Sequence, residues 1–319
     1  MASSGKEVFL IGPGYIGREV IGRLLENGYR ITTLVRRKEA VQELERDGIR
    51  TIMSTIDDKD IITEQIAKSN IVFHTATADH LKSVEAKSDM VSSDKKPDDM
   101  DARPNSASHR LIDLAIIRAR QRLGKKAKIF IMLPPLIYGA TQHGRLSIQV
   151  VTMARFAIKH EYAGFVGKGK SVWGLFHVKD LSYGYLTMLQ WLERSPVDAA
   201  LEHPYFFCEN EPEISWGDIA VFIGKDLHAA GKIPDPTARE IPKDQYDDLF
   251  GNYSVVVIGQ NSRNRADRLR DRGWQPKERG VHEAFTKEEL PILLKETGEF
   301  KGYGRAAASG SGKVVSGSS

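Results

Sequence analysis

Three glycines, Gly12, Gly14 and Gly17, stand in the run Gly12-Pro13-Gly14-Tyr15-Ile16-Gly17, directly after an apolar stretch and directly before a helical pattern. That spacing suits the diphosphate of a dinucleotide. The first glycine permits a tight turn off a strand, the second lets backbone approach the phosphates, and the third lets the helix sit close to the sheet. The helix start then directs unpaired N–H groups at negative charge, with Tyr15 and Ile16 in the same loop. Further on, "TLVRRKEA" places Arg36, Arg37 and Lys38 where NAD-binding chains usually hold a carboxylate for the adenosine ribose. A guanidinium there forks onto a 2'-phosphate, so the expected cofactor is NADP(H). Arg18 follows Gly17 directly and either reaches the phosphates or faces solvent.

Two residues have the chemistry of a proton donor. His109 lies near the start of a strongly periodic helix, where the helix N-terminus disfavours imidazolium and leaves a neutral ring able to relay a proton. Tyr138 ends an apolar stretch and offers a phenol, or packs as a wedge. His74, Thr75, Ala76 and Thr77 end another apolar stretch at the level where backbone approaches a dinucleotide. On the substrate side, His143 follows in a loop, Phe176 is expected to supply an apolar wall, Trp173 either joins it or packs in the core, and Lys168 and Lys170 are expected to supply a charged rim. Asp180 reads as the N-cap of its helix. The nine histidines are scattered without ligand spacing, and no metal site is expected.

The elements that position these residues alternate. Val8–Ile11, Ile31–Val35, "IRTIMST" and "NIVFHTAT" read as strands. Helices over Gly17–Asn27, "RKEAVQELERDG" and Asp60–Ser69 separate them, the first with Val20, Ile21, Leu24 and Leu25 on its apolar side. Such alternation predicts an α/β fold, a doubly wound parallel sheet covered on both faces. Residues 83–107 lack apolar periodicity and read as a long, mobile polar loop. A helix follows, capped at Ser106 or Ser108, with Leu111, Leu114, Ala115 and Ile117 inward. "AKIFIMLPPLIYG" is the next buried strand, closed by a Pro-Pro turn. A helix at 146–160, a helix from about Asp180, the strand "YFFCEN" and a helix capped by Ser215 complete the pattern. The expected division is 1–143 for dinucleotide binding, 144–176 as a first lobe segment, 177–210 returning to the sheet, 211–301 as a smaller C-terminal substrate lobe, and 302–319 as a flexible tail.

A chain of 319 residues can bury a sizeable core, and 41% hydrophobic with 28% charged residues is ordinary for a soluble globular protein. No window reaches the length of a membrane span, the opening residues lack a signal-peptide core, and the single cysteine, Cys208, allows no internal disulfide. A cytoplasmic location is expected. The net charge of +4 is too small for a nucleic-acid footprint.

Taken together, "GPGYIG", "VFHTAT", "LPPLIYG", "FHVKDLSYGYL" and "NSRNRADRLRDRGWQP" resemble the extended and atypical short-chain dehydrogenase/reductase superfamily, nearest its NmrA-like and fungal epimerase-like proteins. The resemblance covers about 1–295 and implies a Rossmann-type sheet with a discontinuous C-terminal substrate lobe. By the resemblance that "LPPLIYG" carries, Pro134 and Leu136 are expected beside the nicotinamide of the dinucleotide. It also implies catalysis by a Tyr-x-x-x-Lys pair on one helix face. None of the ten tyrosines here has a lysine four residues on. The family's fifth strand, with its catalytic Ser or Thr, has no clear counterpart either. Three readings follow. The first is an NADPH-dependent reductase of a small carbonyl or imine/iminium with other proton delivery. The second is a non-redox cyclase or isomerase. The third is an NmrA-like cofactor-sensing regulator with a protein partner. Relatives often form homodimers through helices flanking the segment that is shortened here; a homodimer is expected and a monomer stays open.

Overall fold

The computed structural model describes residues 5–76, 91–102, 110–198 and 203–303. Its first part runs β1 (Glu7–Ile11), α1 (Tyr15–Glu26), β2 (Arg30–Val35), α2 (Lys38–Arg46), β3 (Arg50–Met53), α3 (Lys59–Lys68) and β4 (Ile71–His74). The strands pair in parallel in the order β3-β2-β1-β4. Alternation along β1 decides the layering. Val8 and Leu10 pack with Val20, Ile21 and Leu24 of α1, while Phe9 and Ile11 pack on the opposite face toward Ile61 and Ile62 of α3. Both faces are covered, so every β1 side chain from Val8 on is buried. A fully buried residue such as Phe9 contributes about 1.5–3 kcal/mol by leaving water.

The chain continues through β5 (Ser92–Ser93), α4 (Pro97–Asp101), α5 (Arg110–Leu123), β6 (Ile131–Leu133) and β7 (Leu136–Tyr138). The stretch 91–102 departs from the mobile loop expected of 83–107. β5 pairs with β13 (Asn264–Arg265), Met100 is buried, and the fully buried Asp94 accepts from the N–H groups of Phe207 at 3.0 Å and Arg268 at 2.9 Å. The rest of that loop, the caps proposed at Ser106 and Ser108, Thr77, His109 and the tail beyond 303 lie outside the described residues.

α5 is rolled relative to its expected face. Leu111 is 68% exposed, while Arg110 and Asp113 are buried. The Arg110 guanidinium donates to the Tyr205 hydroxyl and the Asp101 carbonyl, both at 3.0 Å, and these bonds turn the polar residues inward. The stretch expected as one strand is two. Pro134 and Pro135 have no N–H to give a ladder, so pairing breaks there. β6 pairs in parallel with β10 (Tyr205–Phe207), and β7 pairs in parallel with β9 (Val172–His177). Among the described residues no strand joins β4 to β6, and Val72 on β4 is 43% exposed.

Beyond β7 come α6 (Gln149–His160), which starts three residues later than expected, β8 (Tyr162–Phe165), β9 and α7 (Val178–Arg194). After β10 follow β11 (Asn210–Ser215), α8 (Trp216–Ala229), β12 (Asp235–Glu240), α9 (Ser254–Ile258), β13 and α10 (Asp267–Asp271). The last elements are α11 (Val281–Ala284), a π-helical turn over Phe285–Glu289 and α12 (Leu290–Leu293). Ser215 caps α8 as expected, accepting from the Asp218 N–H at 3.0 Å. A second core joins α6, β8, α8 and the 281–293 segment through Phe156, Trp216, Ile219 and Phe285. No helix among the described residues is long and apolar enough to cross a membrane.

Candidate active site

The glycine loop connects β1 to α1. Gly12 has φ +95°, and a Cβ there would overlap the backbone of Ala76, while a Cβ on Gly17 would overlap the Gly12 carbonyl. Thr75 fixes the loop from β4, its hydroxyl donating to the Gly12 carbonyl at 2.8 Å. Gly14 is different: nothing lies within 4 Å of where its Cβ would be, so the loop is open at that point. Gly14 occupies the N-cap of α1 without a side-chain cap, and the first turn holds no acidic residue. Among the described residues no side chain caps the first N–H groups of α1, and the positive end of the helix dipole lies at Gly14. An anion fits there.

Arg36 and Arg37 follow β2 and are exposed, with Arg37 at the N-cap of α2 in extended backbone. Arg18 is only 1% exposed, so it does not face solvent. It pairs with Asp47 and lies 3.9 Å from Glu43, both on the α2 side. His74 is exposed at the end of β4, and Ile16 is half-buried between the first core and the β6–β10 core. These residues, with Thr75 and Ala76, form one rim. The arrangement sets N–H groups at a helix start, where a diphosphate is commonly bound, beside two exposed guanidinium groups.

The other rim comes from distant sequence. Tyr15 reaches out of the glycine loop and donates to the Gly139 carbonyl. Burial, then the charges of Glu289, Glu19 and Glu288, push its phenol pKa well up. Gly139 has φ +89°, and a Cβ would overlap the imidazole of His177. His177, not Asp180, is the N-cap of α7: its Nδ1 accepts from the Lys179 N–H at 3.2 Å. That leaves Nε2–H to donate to Glu288, 3.1 Å away. Asp180 lies fully buried inside the first turn, accepting from the N–H groups of Lys277 at 2.9 Å and Glu278 at 3.2 Å.

The π-helical turn presents two consecutive glutamates to the 139–147 loop. Glu288 accepts from the Ala140 N–H at 3.2 Å and pairs with Arg279 at 2.9 Å, and Lys179 lies 3.9 Å away. Burial pushes Glu288 up, but the hydrogen bond from His177, then the charge of Lys179 and the Ala140 N–H, outweigh it and hold the carboxyl at about 2. Glu289, fully buried, accepts from the Ser147 N–H at 2.9 Å, and burial raises its pKa. His177, Glu278 and Glu288 bring ligand atoms within 4.8 Å of one another. Both imidazole nitrogens are engaged, however, and two cations already neutralise Glu288, so the cluster is an ion-pair network.

Tyr138 does not sit as a free acid. Its hydroxyl donates to the Arg279 carbonyl at 3.0 Å and accepts from Asn210 at 3.3 Å, and burial pushes its pKa up. It ties β7 to the C-terminal lobe. Trp173 packs edge-on to Trp216 with ring centroids 5.5 Å apart and donates to the Gln260 carbonyl at 2.6 Å. Phe176 is fully buried against Trp274, so it presents no wall to an open cleft. Leu136 is buried in the second core and Pro134 is partly exposed beside it. His143 is exposed, in the turn that follows β7. Lys168 and Lys170 lie in the turn between β8 and β9. Glu288, Glu289 and Arg145, which donates to the Pro13 carbonyl, carry this side of the site without any local signature. The quoted "FHVKDL" contained His177 and Lys179, and a buried histidine in a helix-start position was the available signal.

Residues 12–122 match a family model described as NAD(P)H-binding. A curated ketoreductase of Stigmatella aurantiaca, acting by its name on 4-hydroxy-2-methyl-3-oxo-4-farnesyl-3,4-dihydroquinoline-1-oxide, is 29% identical over 75 residues, 24% of this chain and 22% of that protein. The chain thus matches about a fifth of that relative's length. An uncharacterised protein of Schizosaccharomyces pombe is 21% identical over 298 residues, 84% of this chain and 94% of its own. Among solved structures, UDP-glucuronic acid 4-epimerase from Bacillus cereus, in complex with UDP-glucuronic acid and NAD, superposes with a TM-score of 0.63 at 12% identity. It covers 90% of this chain and 99% of that one, which shows the shared fold.

Proposed function

We propose that this chain, whose residues 12–122 match an NAD(P)H-binding family model and whose fold is shared with solved nucleotide-sugar epimerases, is an NADP(H)-dependent reductase of a small organic carbonyl or imine/iminium. The observation that carries this reading is the pairing of an uncapped, open α1 N-terminus at Gly14 with exposed Arg36 and Arg37 after β2. No carboxylate precedes Glu39 there to accept from a ribose hydroxyl. Bound NADPH supplies a hydride. The N–H groups of Tyr15, Ile16 and Gly17 hold the diphosphate, and Arg36 and Arg37 take the 2'-phosphate. Thr75 and Ala76 set the loop's curvature from β4. The ketoreductase name of the Stigmatella relative supports redox chemistry on this scaffold.

Without a Tyr-x-x-x-Lys pair, an iminium is the favoured acceptor. Its carbon takes the hydride and its nitrogen becomes a neutral amine, so no acid is required at the reacting atom. A ketone needs a proton at oxygen as well, and His109 is the residue proposed to deliver it. The test is NADPH oxidation by the wild-type protein with preformed iminium and neutral ketone panels, followed by nicotinamide absorbance. Turnover favouring the iminium panel supports the proposal. Tight NADPH binding with no turnover on either panel contradicts it and favours the regulatory reading.

A further inference from the structure

Arg145 stands apart in sequence from everything else at the glycine loop, yet it meets that loop directly. It lies in the turn after β7, where Thr141 N–H donates to the Arg145 carbonyl and Gly144 N–H to the Thr141 carbonyl, both at 2.9 Å. The Thr141 hydroxyl accepts from the Arg145 N–H at 2.9 Å, closing the turn on itself. Two carboxylates dock this turn. Glu19 of α1, 4% exposed, accepts from the Gln142 N–H at 2.6 Å, and Glu289 holds Ser147 on the far side. The turn is therefore fixed to the helix whose N-terminus forms the site. From it, the Arg145 guanidinium extends over the loop and donates one N–H to the Pro13 carbonyl at 3.2 Å. Four of its five donors remain.

The surroundings explain what those donors want. Arg145 has no carboxylate at ion-pair distance among the described residues. Burial lowers its pKa, Glu43 opposes this, and the charges of Arg18 and Arg37 lower it further, so cations converge on this point. A half-buried guanidinium facing like charges beside an uncapped helix start is an arrangement that an anion stabilises. Arg18 already has Asp47. Arg145 does not have such a partner.

We infer that Arg145 is a diphosphate-binding residue, closing from the β7 side over the phosphates that the α1 N-terminus holds from beneath. This rests on the dinucleotide reading above and adds to it a ligand from outside the first βα unit. Arg36 and Arg37 serve a different phosphate, so the two sets are separable.

Calorimetric titration of the wild-type protein, R145A, R145K and R36A/R37A with NADPH, NADH, ADP and adenosine 2'-monophosphate tests it. R145A should weaken NADPH, NADH and ADP by the same factor, roughly tenfold or more, and leave adenosine 2'-monophosphate unchanged. R36A/R37A should weaken NADPH and adenosine 2'-monophosphate only. R145K keeps the charge without the fork and should lose several-fold, which carries the test if R145A does not fold; ligand-free thermal midpoints report that. Unchanged binding in R145A, or a loss confined to the 2'-phosphate ligands, overturns the inference while leaving the cofactor reading intact. No binding of any of the four by wild type removes that reading, and this inference with it.

Discussion

Replacing Glu288 by glutamine removes the anion on which His177, Lys179, Arg279 and the Ala140 N–H converge. The glutamine keeps size and an acceptor for Ala140, so the change reads charge. A carboxyl held at about 2 instead of 4.5 carries about 3 kcal/mol of stabilisation, at about 1.4 kcal/mol per tenfold change in proton affinity. The Glu288 side chain is 9% exposed, but Lys179 and Arg279 are 30% and 39% exposed, so solvent screening makes that figure an upper bound. The sign follows from the depression. The stabilisation is complete above the ordinary carboxyl value of 4.5 and is lost as pH falls toward about 2. Urea unfolding of wild type and E288Q should therefore differ by about 1–3 kcal/mol at about pH 7, and the gap should shrink on acidification to about pH 3. A gap under about 1 kcal/mol at neutral pH, or one that does not respond to acid, would refute the assignment of Glu288 as the anion of this network.

Other substitutions test neighbouring parts of the account. Gly139→Ala meets both a positive φ and the His177 ring, so it should lower stability by at least about 1–3 kcal/mol in the same urea assay; an unchanged midpoint would show the turn to be slack. Asp94→Ala strands the N–H groups of Phe207 and Arg268 and should cost about 2–5 kcal/mol, whereas Asp94→Asn, which keeps an acceptor, should cost less. Equal losses for the two would argue against hydrogen bonding as the cause. Tyr138→Phe should cost about 1–2 kcal/mol through loss of the bond to Arg279, and a neutral result would mean that the hydroxyl does not join the lobe to β7.

What sequence revealed and what it hid divides along range. β1, α1, β2 and the glycine loop were legible because each is set by residues within a few positions: alternation at Val8–Ile11, the apolar repeat at Val20, Ile21 and Leu24, and glycines that only a tight loop requires. The Pro134-Pro135 break was visible, but not that it sends β6 and β7 to different sheets, because partners β10 and β9 lie far along the chain. Polar residues misled most. Asp94 looks like loop surface and is fully buried, since its value lies in two backbone N–H groups over 100 residues away. Arg110 and Asp113 turned α5 against its apolar pattern for a similar reason. Arg145, Glu288 and Glu289 acquire their roles only when the lobe closes on the glycine loop, and nothing in their neighbours' spacing announces that.

The proposed function places NADP(H) on the loop at Gly12–Gly17, with Arg36 and Arg37 on the 2'-phosphate. The most direct measurement is calorimetric titration of wild type and R36A/R37A with NADPH and NADH in one buffer. Two charge-assisted phosphate contacts at about 1.5–3 kcal/mol each predict that wild type binds NADPH at least about tenfold more tightly than NADH, and that the double substitution closes the gap by weakening NADPH alone. Equal affinity of wild type for the two dinucleotides, or tighter binding of NADH, would contradict the account.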